Sequence, residues 1–411
     1  MTNIMKLNME RRNSSEDPDQ HLIDCAERHV ANDPVRRQSL DRIRHAAQTN
    51  HGNEHSRELE NALDCNNPSG EDTVWSKQST IEGYKRSKQM TRVGDVVFLP
   101  EYARIIVIGD THADLSSTKT IIQQLDAIRW LDSGGFVVFL GDYVHNGVKS
   151  WQNILEILRL QQLYPHAVVL LSGNHEFKES LPMALNEYFN VHWQRFANNE
   201  IPAALHDRLP KHDNHYGHMR LQLLHDFGYE VGERLYAAYA EWGLRLPYIC
   251  LSDSLMISHS LGLPDGTKPT VNAIVNGKKD DAHLIQQGGY QAWHEQRQSV
   301  HSALVNNRLF SAELLNSFNR LLGAKEFVVG HCHYRSGDTV QYGEYKVTTI
   351  VSSSPVSPDS GTYMYQQMCI DRHTMRKAEN LTTRDAVAGY FRYDVSEKFD
   401  RTRELVPLIQ R

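Results

Sequence analysis

Five short apolar segments in the middle of the chain each run directly into a polar residue that can bind a metal ion. The segments are "RIIVIGDTH", "FVVFLGD", "AVVLLSGNHE", "SLMISHS" and "FVVGHCH". Such continuous runs of Val, Ile, Leu and Phe are typical of β-strands that are covered on both faces. Helical patterns lie between them, including "SSTKTIIQQLDAIRWL" and "WQNILEILRLQQLY". This alternation predicts a layered α/β domain whose functional groups gather in loops beyond the strand ends.

The residues at these strand ends form a set of oxygen and imidazole donors. They are Asp110, His112, Asp142, Asn174, His175, His259, His331 and His333. Taken singly, each has a structural explanation, because Asp after Gly often stabilises a turn and a lone His is usually a structural residue. As a set they suit first-row metals such as Mn, Fe or Zn. Two adjacent cations need a bridging ligand, and the carboxylate of Asp142 is the natural candidate.

The motifs also carry a family resemblance. In this order, "GDTH", "GDYVHNG", "SGNHE", "ISHS" and "GHCH" resemble the signature of the calcineurin-like metallophosphoesterases, and most closely that of the phosphoprotein phosphatase (PPP) family. The resemblance extends from about Arg104 to Asp371. It implies an α/β fold, an αββα sandwich of two mixed β-sheets flanked by helices. It also implies a dimetal-dependent phosphoesterase, with a protein phosphatase that hydrolyses phosphomonoesters at Ser/Thr or Tyr as the favoured activity.

The resemblance assigns roles to the strand-end residues and implies two divalent metal ions, with Mn expected in vitro and Fe or Zn as alternatives. The first metal would be bound by Asp110, His112, Asp142 and His333, and the second by Asp142, Asn174, His259 and His331. His175 would be the general acid that protonates the leaving oxygen, and Glu176 would support the metal ligands. The metals would activate a water for in-line attack on phosphorus, so no covalent enzyme intermediate is required.

The chain departs from the PPP pattern in the turn that usually reads Gly-Asp-Tyr-Val-Asp-Arg-Gly. His145 replaces the second Asp, which in the family orients the catalytic His, and Asn146 replaces the Arg that binds the phosphate. A neutral imidazole can hydrogen-bond His175 but stabilises its cationic form less than a carboxylate does. Loss of the bidentate Arg removes a contact worth roughly 1.5–3 kcal/mol. His145 and Asn146 are therefore candidate substrate-binding residues, and Arg308 is a candidate replacement cation.

Two other functions stay open at this point. Members of the superfamily outside PPP often lack that Arg, so a phosphodiesterase or a nucleotide hydrolase, for example of dinucleoside polyphosphates, is the first alternative. The second is a catalytically weak module that binds phosphoproteins. The complete ligand set together with His175 favours an active phosphatase. Arg297 and Lys178 are further candidates for the missing cation.

The sequence also predicts segments around the central domain. Residues 1–90 are predicted to be a polar, helical and partly disordered N-terminal extension, residues 91–375 the PPP-like domain, and residues 376–411 a C-terminal tail. A mainly helical insertion at about 177–245 is expected to cap the site. Aromatic residues of the insertion could line a substrate groove, although core packing is commoner at helical spacing. They are Tyr188, Trp193, Tyr236, Tyr239 and Trp242.

Composition restricts the partners and the compartment. A net charge of −6 gives no reason to expect nucleic acid or an anionic membrane, so a phosphorylated protein is the expected partner. The five cysteines, without a C-x-x-C pair, favour a reducing cytosol. We find no Sec-type signal peptide and no transmembrane segment in the sequence. The expected location is cytoplasmic, or a host cytosol reached by a non-Sec route, as for the PPP-like effectors of some bacteria.

Overall fold

The computed structural model describes most of the predicted central domain and parts of its flanks. It describes residues 52–65, 81, 84, 89–101, 103–124, 126–145, 147–179, 218–263, 270–276, 303–305, 307, 309–332, 339–352, 389–395 and 401–407. Within these ranges, side chains are described except at 52–54, 65, 177–179, 218, 221, 276, 389–395 and 401–407. The statements below refer to this part of the chain.

Helices and strands alternate through the central region, as the sequence predicts. The helices are α1 (Gly52–Cys65), α2 (Leu115–Gln124), α3 (Ala127–Asp132), α4 (Ser150–Leu163), α5 (Asn174–Glu179), α6 (His218–Phe227), α7 (Tyr229–Arg245), α8 (Val271–Asn276) and α9 (Ala312–Leu322). The strands are β1 (Thr91–Val93), β2 (Val96–Phe98), β3 (Ile105–Ile108), β4 (Phe136–Phe139), β5 (Val168–Leu170), β6 (Ile249–Ser252), β7 (Leu255–Ser258), β8 (Glu326–Val329), β9 (Thr339–Tyr342), β10 (Tyr345–Thr349), β11 (Gly389–Val395) and β12 (Arg401–Pro407).

The strands form two mixed β-sheets. A five-stranded sheet has the order β12-β11-β3-β4-β5, in which β3, β4 and β5 are parallel and β11 is antiparallel to β3. A seven-stranded sheet has the order β1-β2-β6-β7-β8-β10-β9, in which β7, β8 and β10 are parallel. Helices flank both sheets, so the predicted αββα sandwich is confirmed.

The continuous apolar runs are explained by burial on both faces of each sheet. In β3, Val107 packs into the core between the two sheets, whereas Ile106 and Ile108 pack beneath the helices that cover the five-stranded sheet. From the opposite sheet, Ile257 of β7 and Val328 of β8 enter the same central core. Because side chains alternate along a strand, a strand covered on both faces needs apolar residues at every position.

One predicted helix is divided into two. The run "SSTKTIIQQLDAIRWL" forms α2 and α3, which are separated at Asp126. Asp126 has a left-handed backbone conformation with φ of 43°. Asp tolerates this region better than most residues, and one left-handed residue is enough to end a helix. The hydrophobic periodicity continues through the break, which is why the sequence pattern did not reveal it.

Part of the predicted N-terminal extension packs onto the domain. Leu59, Ala62 and Leu63 of α1 are fully buried in the core on the helical side of the five-stranded sheet. These positions follow the i, i+3, i+4 spacing of one helix face. Glu58 also forms a bidentate ion pair with Arg159 of α4, with distances of 2.8 and 2.9 Å. Residues 1–51 lie outside the described ranges, so the predicted character of that part remains a prediction.

The predicted C-terminal tail contributes two strands. β11 pairs antiparallel with β3, with Phe391 opposite Val107, and β12 pairs with β11 to form the edge of the five-stranded sheet. No strand was predicted for this segment from the sequence.

The described helices of the insertion belong to the core. Tyr236, Tyr239 and Trp242 of α7 are at most 9% exposed and pack in the cluster beneath the five-stranded sheet. Core packing is therefore their role, and they line no substrate groove. Tyr188, Trp193 and the rest of residues 180–217 of the predicted cap lie outside the described ranges. Among the helices described, none has the length and apolar character needed to span a membrane.

Candidate metal centre

The loops that follow five strands bring the predicted donors to one place. The donors follow β3, β4 and β5 of one sheet and β7 and β8 of the other: Asp110, His112, Asp142, Asn174, His175, His259 and His331. The two sheets are joined beside them by a bridge between Asp110 and Val351. Because the carboxyl ends of parallel strands meet at the same edge, residues far apart in sequence converge there.

His112 lies beside two carboxylates. Its Nε2 atom is 4.0 Å from Oδ2 of Asp110 and 3.7 Å from Oδ2 of Asp142. Its Nδ1 atom is 3.3 Å from the carbonyl oxygen of Val144, a contact that fixes the orientation of the ring. A ring held in this way presents Nε2 to a metal, which is the usual arrangement for a histidine ligand.

His259 makes the corresponding contacts from the opposite sheet. Its Nε2 atom is 3.0 Å from Oδ1 of Asn174 and 3.4 Å from Oδ2 of Asp142, and its Nδ1 atom is 3.6 Å from Oδ1 of Asp110. The ring of His331 lies 5.1 Å from that of His259, measured between centroids. The backbone N–H of His331 donates to Oδ2 of Asp110 at 2.8 Å, which ties this loop to the first carboxylate.

Two groups of donor atoms meet the distance requirements of a metal site. One consists of His112, Asp142 and His175, and the other of Asp142, His259 and His331; within each group the donor atoms lie within 4.8 Å of one another. Asp142 belongs to both groups, as expected of a carboxylate that bridges two cations. Carboxylate and imidazole donors suit first-row metals, so these residues fit the predicted pair of ions.

Two glycines make room for the carboxylates. A Cβ atom on Gly173 would lie 2.2 Å from Oδ1 of Asp142, and one on Gly330 would lie 2.0 Å from Oδ1 of Asp110. Any side chain at either position would displace a proposed ligand. The glycines of "SGNHE" and "GHCH" are therefore required by the site, in addition to any role in their turns.

The backbone at the site is unusual for residues other than glycine. Four site residues have positive φ values: His112 at 45°, Asp142 at 52°, His145 at 66° and His331 at 58°. Such conformations are uncommon, cost on the order of 1–3 kcal/mol each, and concentrate at functional sites. All four residues lie in the loops that follow β3, β4 and β8.

Glu176 supports the loop that carries Asp142. Its carboxylate accepts hydrogen bonds from the backbone N–H groups of Asp142 at 2.7 Å, Tyr143 at 2.8 Å and Gly173 at 3.0 Å. Burial raises the pKa of Glu176 to about 7, although these hydrogen bonds act in the opposite direction. Glu176 thus holds the backbone of the proposed bridging ligand.

His175 and His145 form a buried pair. Their Nδ1 atoms are 2.6 Å apart, so the hydrogen bond expected from the sequence is present. His145 is fully buried and His175 is 9% exposed. The other ring nitrogen of His175, Nε2, lies 3.8 Å from Oδ2 of Asp142, and its backbone N–H donates to Oδ1 of the same residue at 3.0 Å. His175 is therefore held by His145 at its Nδ1 atom and by Asp142 at its backbone N–H. Its Nε2 atom lies beside the carboxylate of Asp142.

The sequence matches the family model described as calcineurin-like phosphoesterase over residues 103–335, which is more than half of the chain. This chain is a calcineurin-like phosphoesterase. The family predicted from the motifs is confirmed. The matched segment contains every proposed metal ligand.

Curated relatives of this calcineurin-like phosphoesterase include serine/threonine-protein phosphatases. It is 32% identical over 85 residues to a probable serine/threonine-protein phosphatase of Encephalitozoon cuniculi, covering 21% of this chain and 18% of that protein. It is 29% identical over 80 residues to the phosphatase SIT4 of Candida albicans, covering 20% and 26%. It is 31% identical over 75 residues to the serine/threonine-protein phosphatase 4 catalytic subunit of Eremothecium gossypii, covering 18% and 23%. The matches thus span about a quarter or less of these relatives.

Solved structures of protein phosphatases are also similar to the chain. A protein serine/threonine phosphatase from Saccharomyces cerevisiae, with similarity to human phosphatase PP5, has a TM-score of 0.45 at 13% identity and covers 88% of this chain and 91% of its own. A cold-active protein-tyrosine phosphatase of a psychrophile Shewanella has a TM-score of 0.39 at 13% identity and covers 80% and 85%.

Several predicted site residues of this phosphoesterase lie outside the described part of the chain. They are His333, Asn146, Arg308 and Arg297, together with the side chain of Lys178. Their assignments remain predictions. The described residues include at least three of the four predicted ligands of each metal.

Sequence reasoning missed two polar residues that hold the site together. The side-chain hydroxyl of Ser352, after β10, accepts the backbone N–H of Gly109 at 2.8 Å and so ties the loop of Asp110 to the opposite sheet. Asn153 lies in α4, where its side chain is fully buried. A Ser-rich stretch and one polar residue on a helix are too common to have identified either residue.

Proposed function

We propose that the chain is a dimetal-dependent protein phosphatase that hydrolyses phosphomonoesters at Ser/Thr or Tyr. The observation that carries the proposal is the carboxylate of Asp142, which belongs to two groups of donor atoms and has His175 beside it. The family supports phosphoester chemistry. The names of the relatives support a phosphoprotein as substrate, since they are protein phosphatases.

The proposed metal ligands follow from the two donor groups and from the family motifs. The first ion would be held by Asp110, His112, Asp142 and His333, and the second by Asp142, Asn174, His259 and His331. Mn, Fe and Zn all match this donor chemistry, with Mn expected to support activity in vitro. Two such cations activate water as a nucleophile and withdraw negative charge from the phosphoryl oxygens.

His175 is the proposed general acid. When both of its ring nitrogens are protonated, its Nδ1–H donates to Nδ1 of His145, because the two atoms are 2.6 Å apart. Its Nε2–H is then left on the side of Asp142, where the substrate would bind. Transfer of the Nε2 proton to the departing oxygen leaves a neutral His175 that keeps its hydrogen bond to His145. This arrangement assigns the acid function to one atom and the orienting function to the other.

Substrate binding is proposed to differ from the usual PPP pattern. Asn146 lacks the charge of the family's Arg, so Arg308 is the proposed cation for the phosphate. His145 is fully buried and contacts His175, so its contribution to the substrate is proposed to pass through that ring. An uncharged turn should bind phosphate more weakly than a bidentate Arg does.

The compartment proposed is a reducing cytosol. Cys250 and Cys332 are both free and buried, which is compatible with it. The net charge of −6 favours a protein partner over nucleic acid. A role as an effector in a host cytosol belongs to the same proposal and rests on the family resemblance alone.

A panel of substrates tests the proposal. Purified protein with Mn²⁺ should hydrolyse p-nitrophenyl phosphate and at least one phosphopeptide, either phospho-Ser/Thr or phospho-Tyr. The variant Asp142→Asn should lose both metal and activity. Hydrolysis of bis-p-nitrophenyl phosphate alone would identify a phosphodiesterase. No turnover of any substrate, combined with tight phosphopeptide binding, would identify a binding module.

A further inference from the structure

Asn153, a buried residue in α4, connects the two loops that carry three of the proposed metal ligands, Asp110, His112 and Asp142. Its Nδ2 atom donates two hydrogen bonds, one to Oγ1 of Thr111 at 2.9 Å and one to the carbonyl oxygen of Tyr143 at 2.8 Å. Its Oδ1 atom accepts from Oγ1 of Thr118 in α2 at 2.7 Å. Asn153 and Thr111 are fully buried, and Thr118 is 1% exposed.

The two residues that accept from Asn153 are immediate neighbours of proposed ligands. Thr111 lies between Asp110 and His112, and Tyr143 follows Asp142. Both N–H groups of a single amide therefore span the gap between the first ligand pair and the proposed bridging carboxylate. The amide is planar and its two N–H directions are fixed, so both hydrogen bonds form only when the two loops lie at one particular distance from each other.

The backbone alone fixes only part of this spacing. The N–H of His112 donates to the carbonyl of Asp142 at 2.8 Å, and that of Ala113 donates to the carbonyl of Tyr143 at 2.9 Å. In the other direction, the N–H of Gly147 donates to the carbonyl of His112 at 2.8 Å, and that of Lys149 donates to the carbonyl of Ala113 at 3.1 Å. These four bonds join His112 and Ala113 to the second loop. The contact from Asn153 to Thr111 holds the residue between the two proposed ligands Asp110 and His112. Without it, nothing among the described contacts of the Thr111 side chain connects that point to the second loop.

We propose that Asn153 is a positioning residue that sets the separation of Asp110 and His112 from Asp142, and through it the affinity of the first metal ion. The inference rests on the proposed function in one respect, the assignment of these three residues as ligands. It needs no assumption about the substrate. Groups that orient metal ligands typically contribute a factor of about 10–100 in metal affinity or activity.

Metal binding without substrate is the deciding measurement. In equilibrium dialysis against Mn²⁺, the wild-type protein should bind two ions per chain. Asn153→Asp keeps the acceptor for Thr118 but loses both donations, and Asn153→Leu keeps the approximate size and loses all three bonds. Each variant should bind one of the two ions about 10–100-fold more weakly. The Mn²⁺ concentration for half-maximal hydrolysis of p-nitrophenyl phosphate should rise by a similar factor.

Thr118→Val is the matched control. It removes the third hydrogen bond but leaves both donations from Asn153 in place, so it should lower thermal stability without changing Mn²⁺ affinity. If Asn153→Leu and Thr118→Val weaken Mn²⁺ binding equally, the role of Asn153 is packing alone, and the proposal is wrong. Normal binding of both ions by folded Asn153 variants would also overturn it.

A second pair of variants keeps the test decisive if the Asn153 variants do not fold. Thr111→Val removes the acceptor with little change in shape, whereas Thr111→Ser keeps it. Weaker Mn²⁺ binding by Thr111→Val, restored in Thr111→Ser, supports the proposal, and equal binding by both rejects it. A wild-type protein that binds two ions but hydrolyses nothing would contradict the proposed function and leave the positioning test valid. A wild-type protein that binds no Mn²⁺ would contradict both.

Discussion

The Nδ1 atoms of His145 and His175 lie 2.6 Å apart in a buried pair, at a position where PPP phosphatases place an Asp beside the catalytic His. An imidazole and a carboxylate can both accept the Nδ1–H of His175. Only the carboxylate brings a negative charge, so only it strongly favours the protonated form of its partner. Having His145 in place of the Asp should therefore preserve the orientation of His175 but lower the affinity of its ring for a proton.

Restoring the family's carboxylate tests this reasoning. In His145→Asp, the protonated form of His175 should persist to higher pH, so the basic limb of the pH–rate profile should move upward. A shift of one pH unit corresponds to about 1.4 kcal/mol. The measurement is kcat against pH with a phosphopeptide. His145→Ala is the control, because it removes the hydrogen bond and should lower kcat at every pH. An unchanged profile in His145→Asp would mean that His145 does not act on the acid.

If His175 is the proposed general acid, the effect of removing it should depend on the leaving group. In His175→Ala, kcat should fall by roughly 10²–10⁴-fold for a phosphoserine peptide, whose alkoxide leaving group needs a proton. The effect on p-nitrophenyl phosphate should be much smaller, because p-nitrophenolate leaves readily without one. The ratio of the two effects is the measurement, with metal content determined in parallel. Equal losses on both substrates would assign His175 to metal binding, a role that its place in one donor group allows.

The altered turn predicts a gain of function. Asn146→Arg restores the residue that PPP members use for phosphate, and it should raise kcat/KM by about 10–100-fold if it recovers 1.5–3 kcal/mol of binding. Arg308→Ala should lower kcat/KM if Arg308 has taken over this function, and Arg297→Ala provides the comparison. The double variant Asn146→Arg with Arg308→Ala should then recover activity. Failure of Arg308→Ala to change kcat/KM would remove it as the phosphate cation.

Local patterns in the sequence were sufficient to predict the strands that carry the site and the donors that follow them. Asp110, Asp142 and His259 each lie directly beyond a buried apolar run, and parallel strands bring such ends together. The pairing of β11 with β3 could not be predicted in this way, because it joins residues nearly 300 positions apart and has no local signal. The role of Asn153 was missed for the same reason, since its partners come from two other segments.

The attachment of α1 to the domain predicts a pH-dependent stability. Burial raises the pKa of Glu58, but the contacts with His55 and Arg159 outweigh it, so the pKa is lowered from 4.5. A lowered pKa in the folded state means that the ion pair stabilises the protein above the unfolded pKa. The stabilisation is lost as the pH falls below about 4.5 through the folded value. The urea midpoint of the wild-type protein should therefore decrease across this range.

Glu58→Gln should remove the pH dependence contributed by this residue and lower stability at neutral pH, because the buried Arg159 would lose its bidentate partner and keep only the longer contact to Glu156, at 3.5 Å. Loss of one member of a buried pair costs about 3–5 kcal/mol when the remaining charge is uncompensated, so this is the upper limit here, where Glu156 remains beside Arg159. Glu60→Gln is the matched control on the same helix. Glu60 pairs with Arg234 at 2.7 Å, but Arg234 is 50% exposed, so the cost should be about 0–1 kcal/mol. Urea unfolding of both variants at pH 7 and pH 4 distinguishes the two pairs. Equal small effects would show that α1 adds little to the folded domain, despite the burial of Leu59 and Leu63.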